Sequence, residues 1–366
     1  MTNVFNKDFK RAVLISYITV PFRKPTLSHS NSYEVLAAAR VFDDLGYIVD
    51  VISYNTLPKE LEKYDVIYGF GDVFRAYFES GLNNKTTIYY ATGFHVCHQN
   101  TSSLNRIRDV YNKKGVWIGK SARFVEKTWS HQTTLVDGII ALGNELCAES
   151  YKKYYDGKIF SLPAPFFCTL DGNKILSIRN NHSKQSYFWF GSSGLVHKGL
   201  DICLDFFRSR PDLTLHICGN IEHENQFEDV YRHELYELPN IHVHGFVKID
   251  SAKFEHILKQ CSFVIFPSCS EGGGVSVLTA IGNGALIPII TKESSISTGY
   301  EILIEEISIQ GIARAVEYSE SLELEQLLNL QYANLQYVLK EHNQTIYYER
   351  LKKIIEEIIV VVPQIS

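Results

Sequence analysis

Short, strongly apolar segments recur along this chain, each followed by a stretch with helical spacing, and that alternation restricts the fold severely. Residues 12–20 (AVLISYITV), 48–54, 66–68, 87–90 and 138–142 read as strands in the first half. Each is too short and too rich in β-branched or aromatic residues for a helix. Residues 31–45 instead place Val35, Leu36, Ala39, Val41 and Phe42 on one side, with Gly46 as a stop. Apolar strands alternating with helices imply a parallel sheet covered on both faces. The alternation pauses at Pro163-Ala164-Pro165 and through polar residues 168–184, then restarts. Strands are predicted at 187–190, 213–218, 241–243, 263–266 and 286–290, with helices at 198–208, 224–235, 251–259 and 275–281. Helices follow from about residue 310, ending in the stripe Leu351, Ile354, Ile355 and Ile358. The pattern predicts an α/β chain with two Rossmann-like domains, residues 1–166 and 184–340. Residues 341–366 form a C-terminal helix expected to pack back toward the first domain.

Composition removes several classes. With 366 residues, 45% of them hydrophobic, the chain can fill two cores, and 22 Tyr with 21 Phe exclude wholesale disorder. The net charge of −5 hides a split: residues 1–165 carry 20 basic against 16 acidic side chains, the remainder 16 against 25. Such a split predicts halves that face different partners. It excludes a general nucleic-acid binder, which needs a dense basic stripe. Seven cysteines without a C-x-x-C pair, several inside apolar runs, read as reduced core thiols. Residues 1–11 contain no apolar core of a signal peptide, so a cytoplasmic location is expected. Residues 272–291 are uncharged and long enough to span a bilayer, yet they hold five Gly and Pro288 and break at Gly282-Asn283-Gly284. A helix followed by a buried strand explains them better.

Two segments point to chemistry. The strand at 263–266 runs into Pro267-Ser268-Cys269-Ser270-Glu271-Gly272-Gly273-Gly274, and a helix follows at once. Ligands of open α/β sheets bind at the carboxyl ends of strands, and a helix N-terminus suits a phosphate. Successive glycines let backbone N–H groups approach that anion. A carboxylate at Glu271 repels phosphate, so its partner would be a hydroxyl-rich group beside it; a sugar diphosphate meets both needs. The plainer alternative is a glycine-rich turn with a capping Glu. The strand at 187–190 likewise leads into Leu195-Val196-His197-Lys198-Gly199-Leu200-Asp201. A lysine in a first helical turn opposes the dipole unless an anion is present, so Lys198 is either a diphosphate contact or a solvated lysine.

Together with Leu215-His216-Ile217-Cys218-Gly219, Pro239-Asn240-Ile241 and His244-Gly245-Phe246-Val247, these runs resemble the donor domain of GT-B glycosyltransferases. Order and spacing are closest to the retaining family 4 (glycosyl transferases group 1) type, over most of residues 185–295. The resemblance implies two Rossmann-like domains facing across a cleft, with C-terminal helices and a nucleotide-sugar donor bound mostly to the second. It gives Lys198 the diphosphate and Glu271, the first glutamate of E-x7-E, the donor sugar hydroxyls. It gives Gly273, Gly274 and Val275 backbone contacts with sugar or phosphate, and sets Phe246 and Val247 against the nucleobase. His95 would lie on the acceptor side as a third catalytic residue, although a hydrogen-bonded loop histidine fits equally well.

The departures are specific. The second glutamate of E-x7-E falls on Thr279, eight residues or about two turns from Glu271, which would put both on one helix face. The basic partner usually six residues before the lysine falls on Ser192, and Pro21-Phe22-Arg23-Lys24-Pro25 replaces the usual glycine loop, so Arg23 or Lys24 is a candidate for the missing charge. Seven basic residues between Arg106 and Lys127 face only Asp109 and Glu126. They form either a solvated helical face or a surface for an anionic acceptor or membrane. His95-x-Cys97-His98 has no second pair at zinc spacing, D-x-D is absent, and neither a P-loop nor a full dinucleotide fingerprint occurs. No metal and no cofactor are expected. The sequence thus predicts a glycosyltransferase moving a sugar from a nucleotide-sugar to an acceptor hydroxyl of a glycan or lipid-linked compound, with retention and without metal. The alternative is a non-catalytic homologue that binds sugar nucleotides or glycans, suggested by Ser192 and Thr279.

Overall fold

The computed structural model describes residues 1–125, 127, 130–179 and 181–361. In chain order the first elements are β1 (Arg11–Tyr17), α1 (Asn31–Asp44), β2 (Tyr47–Ser53), β3 (Val66–Gly69), α2 (Asp72–Glu79), β4 (Thr86–Ala91), α3 (Val96–Lys114), α4 (Ser130–Thr134), β5 (Gly138–Leu142), α5 (Glu145–Glu149) and β6 (Lys158–Leu162). They continue with α6 (Gly172–Ser177), β7 (Ser186–Phe190), α7 (Leu200–Arg208), β8 (Thr214–Cys218), α8 (Asn225–Val230), α9 (Arg232–Tyr236), β9 (Ile241–Gly245), α10 (Ala252–Gln260), β10 (Phe263–Phe266), α11 (Val275–Gly284) and β11 (Ile287–Ile290). Last come β12 (Ile302–Leu303), α12 (Ile309–Ser321), α13 (Leu324–Glu341) and α14 (Gln344–Val361). Among the described residues no helix is long and apolar enough to cross a membrane. The uncharged stretch 272–291 is α11 followed by β11, both buried.

The strands form two six-stranded parallel sheets, ordered β2-β1-β3-β4-β5-β6 and β12-β11-β10-β7-β8-β9. Two edge strands were not predicted: β6 is half-exposed along most of its length, and β12 has only two residues. The helix expected at 224–235 divides at Tyr231, whose ring turns into the core and stacks on Phe227 at 4.8 Å.

The chain divides into two compact units, one of residues 1–95, 126–165 and 344–366, the other of 96–125 and 166–343. In the first unit α14 packs on α1. Tyr33 donates to the Gln344 carbonyl at 2.6 Å, and the Tyr90 and Tyr347 hydroxyls meet at 2.9 Å. Buried Glu34 accepts from Tyr17 at 2.6 Å and from Tyr90 at 3.0 Å, so its carboxyl is not left without partners in the core.

The second unit departs from the expected boundary, because it takes α3 out of the first 166 residues. The physical reason is the face formed by Ser103, Arg106, Ile107 and Val110, spaced three or four apart and buried. Arg106 meets Asp201 at 2.6 Å, Lys113 meets Asp205 at 2.7 Å, and Lys114 meets Glu234 at 3.3 Å. The basic run is therefore not wholly a solvated face. Three of its members neutralise acids of α7 and α9, and Lys127 pairs with Asp72 at 3.5 Å in the first unit. Arg108 and Lys120 stay exposed, and Glu126 lies outside the described residues. Part of the charge split between the halves of the sequence is thus satisfied inside the second unit. Removing one partner of a buried ion pair costs about 3–5 kcal/mol, because the other charge is stranded. Arg106→Ala should lower unfolding stability by about that amount in urea titrations, whereas Arg106→Met combined with Asp201→Leu should recover most of the loss.

Candidate active site

In the second sheet β7 lies between β8 and β10, so successive crossovers leave β7 in opposite directions. The carboxyl ends of β7 and β10 are the switch point at which such sheets bind ligands. Lys198 follows β7 and Glu271 follows β10. Gly199, the N-cap of α7, has φ +70°, and a Cβ there would lie 2.4 Å from the Pro267 carbonyl oxygen. Only glycine lets the two loops close to this distance.

The loops meet in an ion pair. The Lys198 ammonium donates to Glu271 Oε1, and Ser268 Oγ donates to the same oxygen at 3.2 Å. Arg123 Nη1 approaches Glu271 Oε2 at 3.5 Å. Burial pushes the Lys198 pKa down while the carboxylate beside it pulls it back up. Burial also works against the Glu271 charge, but Lys198, Arg123 and the Lys198 hydrogen bond outweigh it and hold the carboxyl at about 2. The two residues that the sequence assigned to separate parts of a donor therefore touch each other.

His197 fixes the loop behind them. Its ring is fully buried, with Nε2 on the Ser270 carbonyl oxygen and Nδ1 2.7 Å from Ser103 Oγ on α3. A carbonyl only accepts, so Nε2 carries the proton and Nδ1 accepts from the Ser103 hydroxyl. Burial depresses the imidazole to about 3, and it is neutral at ordinary pH.

Gly273 and Gly274 both adopt positive φ, and Gly274 is the N-cap of α11. No side chain caps that helix and no acid occupies its first turn, so the N–H end at Val275 favours an anion. Thr279 sits differently from expectation. The helix begins only at Val275, so Glu271 is in the preceding loop and the two residues do not share a helix face. Thr279 is buried, and its hydroxyl donates to the Val275 carbonyl at 2.8 Å. Phe246 and Val247 follow β9, two strands from β7 and so about 10 Å to the side. Phe246 is 56% exposed, whereas Val247 is buried, so only the ring presents a surface.

His95 belongs to the first unit, at the end of the β4 loop. It is buried, stacked on Tyr154 at 3.9 Å, with Tyr151 edge-on at 5.3 Å, and its backbone N–H donates to Ser150 Oγ at 2.8 Å. Arg23 and Lys24 are exposed in that same unit. Among the described residues no group of three or more His, Cys, Asp or Glu converges as a metal site. Sequence reading missed Ser103, Arg123 and the packing role of His197, since their partners lie 73 to 148 residues away along the chain.

Solved structures with the same architecture include a glycosyltransferase from Rickettsia africae (12% identity, 96% of this chain and 99% of that one, TM-score 0.60). Others are the sucrose-phosphate synthase of Thermosynechococcus elongatus (11%, 96% and 99%, TM-score 0.65) and HepE of Anabaena in complex with UDP and glucose (12%, 95% and 100%, TM-score 0.59). At such identities they show the fold, which is GT-B. No curated protein sequence matches the chain. Residues 174–327, less than half of the chain and all within the second unit, match the family described as Glycosyl transferases group 1.

The buried imidazole has a measurable consequence. Folded His197 protonates at about 3 and an unfolded histidine near 6.5, so only the unfolded chain takes up this proton between those values. Its contribution to stability is complete above about pH 6.5 and is lost as pH falls toward 3. His197→Gln should flatten this acid limb by about 1.4 kcal/mol per pH unit in urea titrations at stepped pH.

Proposed function

We propose that the protein transfers a sugar from a nucleotide-sugar donor to a hydroxyl of a glycan or lipid-linked acceptor, with retention and without a divalent ion. The observation that carries this reading is the meeting of Lys198 and Glu271 at the switch point, beside the uncapped N-terminus of α11. In this reading Lys198 and the N–H groups of Gly273, Gly274 and Val275 hold the diphosphate. When the bond from the anomeric carbon to phosphate oxygen breaks, its electron pair passes to the diphosphate, the acceptor oxygen bonds to the anomeric carbon, and the hydroxyl proton leaves with the diphosphate. The ammonium and the helix end stabilise that growing charge without reorganising, the role otherwise met by a metal ion. Glu271, kept ionised, accepts hydrogen bonds from the donor sugar hydroxyls and so orients the anomeric carbon. Phe246 offers its face to the base, and Thr279 gives the ribose no free carboxylate.

A thermal-shift panel of nucleotide-sugars tests the reading, followed by measurement of released nucleotide and of the product's anomeric configuration by NMR. One donor should raise the melting temperature and yield a product with unchanged configuration. A panel in which no donor binds would falsify the proposal. With the best donor, Lys198→Ala should lower kcat/KM by about 10- to 150-fold, the value of one charge-assisted hydrogen bond. Glu271→Gln keeps the side chain's size but leaves Lys198 without its counter-charge. It should retain a native far-UV spectrum while turnover falls at least about tenfold; near-wild-type transfer would reduce Glu271 to a loop-packing residue.

A further inference from the structure

We propose that Arg123, a residue outside the segment that matches the glycosyltransferase family, is a second cation for the donor's diphosphate. The inference rests on the nucleotide-sugar reading and adds a residue to that site. Charge sets the problem. Lys198 and Glu271 cancel each other, and His197 is neutral, so without Arg123 the pocket has no net charge with which to meet a doubly charged group. Position 192, on the loop after β7, is an exposed serine.

Arg123 reaches that loop from another part of the chain. Its stem crosses directly over Gly194: a Cβ there would lie 2.5 Å from Arg123 Cγ and 2.7 Å from Cδ. Gly194 has φ +88°, and its carbonyl accepts the backbone N–H of Lys198 at 2.9 Å. The two cations therefore flank the same turn. They hold opposite oxygens of Glu271, Lys198 on Oε1 and Arg123 on Oε2.

The backbone carrying Arg123 is anchored on both sides. The Gln99 side chain donates to the Arg123 carbonyl, and Asn100 exchanges hydrogen bonds with Val125 in both directions at 2.9 Å. The His197 N–H donates to the Ser121 carbonyl at 3.3 Å. The guanidinium itself is less committed. At 3.5 Å its contact with Glu271 is long for a hydrogen bond, and the side chain is 44% exposed. A planar fork placed this way is suited to turn to phosphate oxygens, which it can grip in bidentate fashion.

The test is calorimetric titration of wild type, Arg123→Ala and Arg123→Lys with uridine, adenosine and guanosine diphosphates and the corresponding monophosphates. For the diphosphate that binds wild type, Arg123→Ala should weaken binding about tenfold or more, and the matching monophosphate by about threefold at most. Arg123→Lys, which keeps the charge but not the bidentate fork, should recover only part of the diphosphate affinity, and so should Arg123→Ala with Ser192→Arg. Equal diphosphate affinity in wild type and Arg123→Ala overturns the proposal and leaves the donor reading standing. So does an equal loss for mono- and diphosphate together with a lowered melting temperature, which assigns Arg123 to packing. If wild type binds none of the three diphosphates, the donor reading falls, and this inference with it.

Discussion

A buried contact between Arg106 and Asp201 decides which residues make up the second unit. Burying two charges is costly, and the cost is recovered only where geometry is close and the remaining polar atoms find partners. Here the contact is 2.6 Å, Asp109 shares the guanidinium at 3.3 Å, and Ile107 and Val110 are buried on the same helix face, while Arg106 Nε and Asp201 Oδ1 stay buried without hydrogen-bond partners, so part of the cost stands. Lys113 and Lys114 extend it to Asp205 and Glu234. Once α3 is held, Ser103 reaches His197 and the following segment lays Arg123 over the turn that contains Lys198. The site's geometry depends on a helix that lies outside residues 174–327, the segment that matches the glycosyltransferase family.

The arrangement also explains why the site holds an ionised carboxylate and a buried ammonium together. Lys198 alone would be driven toward neutrality by burial, and Glu271 alone would be protonated more readily. Side by side they keep each other charged, and Arg123 on the far oxygen of Glu271 makes the cluster positive. His197 adds no charge; it supplies rigidity by holding the Ser270 carbonyl while accepting from Ser103. Two cations, one anion and a helix N-terminus are thus gathered at one switch point.

The sequence exposes those parts of this arrangement that are local. Strands such as Phe263–Phe266 and Thr214–Cys218 are short and mostly apolar, so they are visible in a few consecutive residues. Lys198 and Glu271 stand out because each follows a strand and sits beside glycines that only a close approach requires. What stays hidden is non-local. Nothing around Ser103 or Arg123 marks them, since their partners His197 and Glu271 lie 94 and 148 residues further on. The basic run around Arg106 reads as a surface because its acids belong to α7 and α9. The expected pairing of Glu271 with Thr279 on one helix face failed for a local reason: three glycines delay the start of α11 to Val275. The break at Tyr231 and the two-residue β12 are equally beyond periodicity, because each is set by packing rather than by pattern.

The discontinuous make-up of the second unit has a consequence for its birth on the ribosome. Arg106 precedes its partner Asp201 by 95 residues. At about 5–20 residues per second, α3 waits about 5–20 s before the helix it docks on has been synthesised. During that interval the apolar and cationic face of α3 has no counterpart, while the strands on either side of it, β4 and β5, can already pair with each other. The first sheet therefore closes around a segment that must remain undocked. Residues 166–343, transplanted into a chimaera without residues 96–125, would carry Asp201 and Asp205 without the cations of α3, while Glu234 would keep only Arg208. The exchangeable module of this chain is two pieces rather than one.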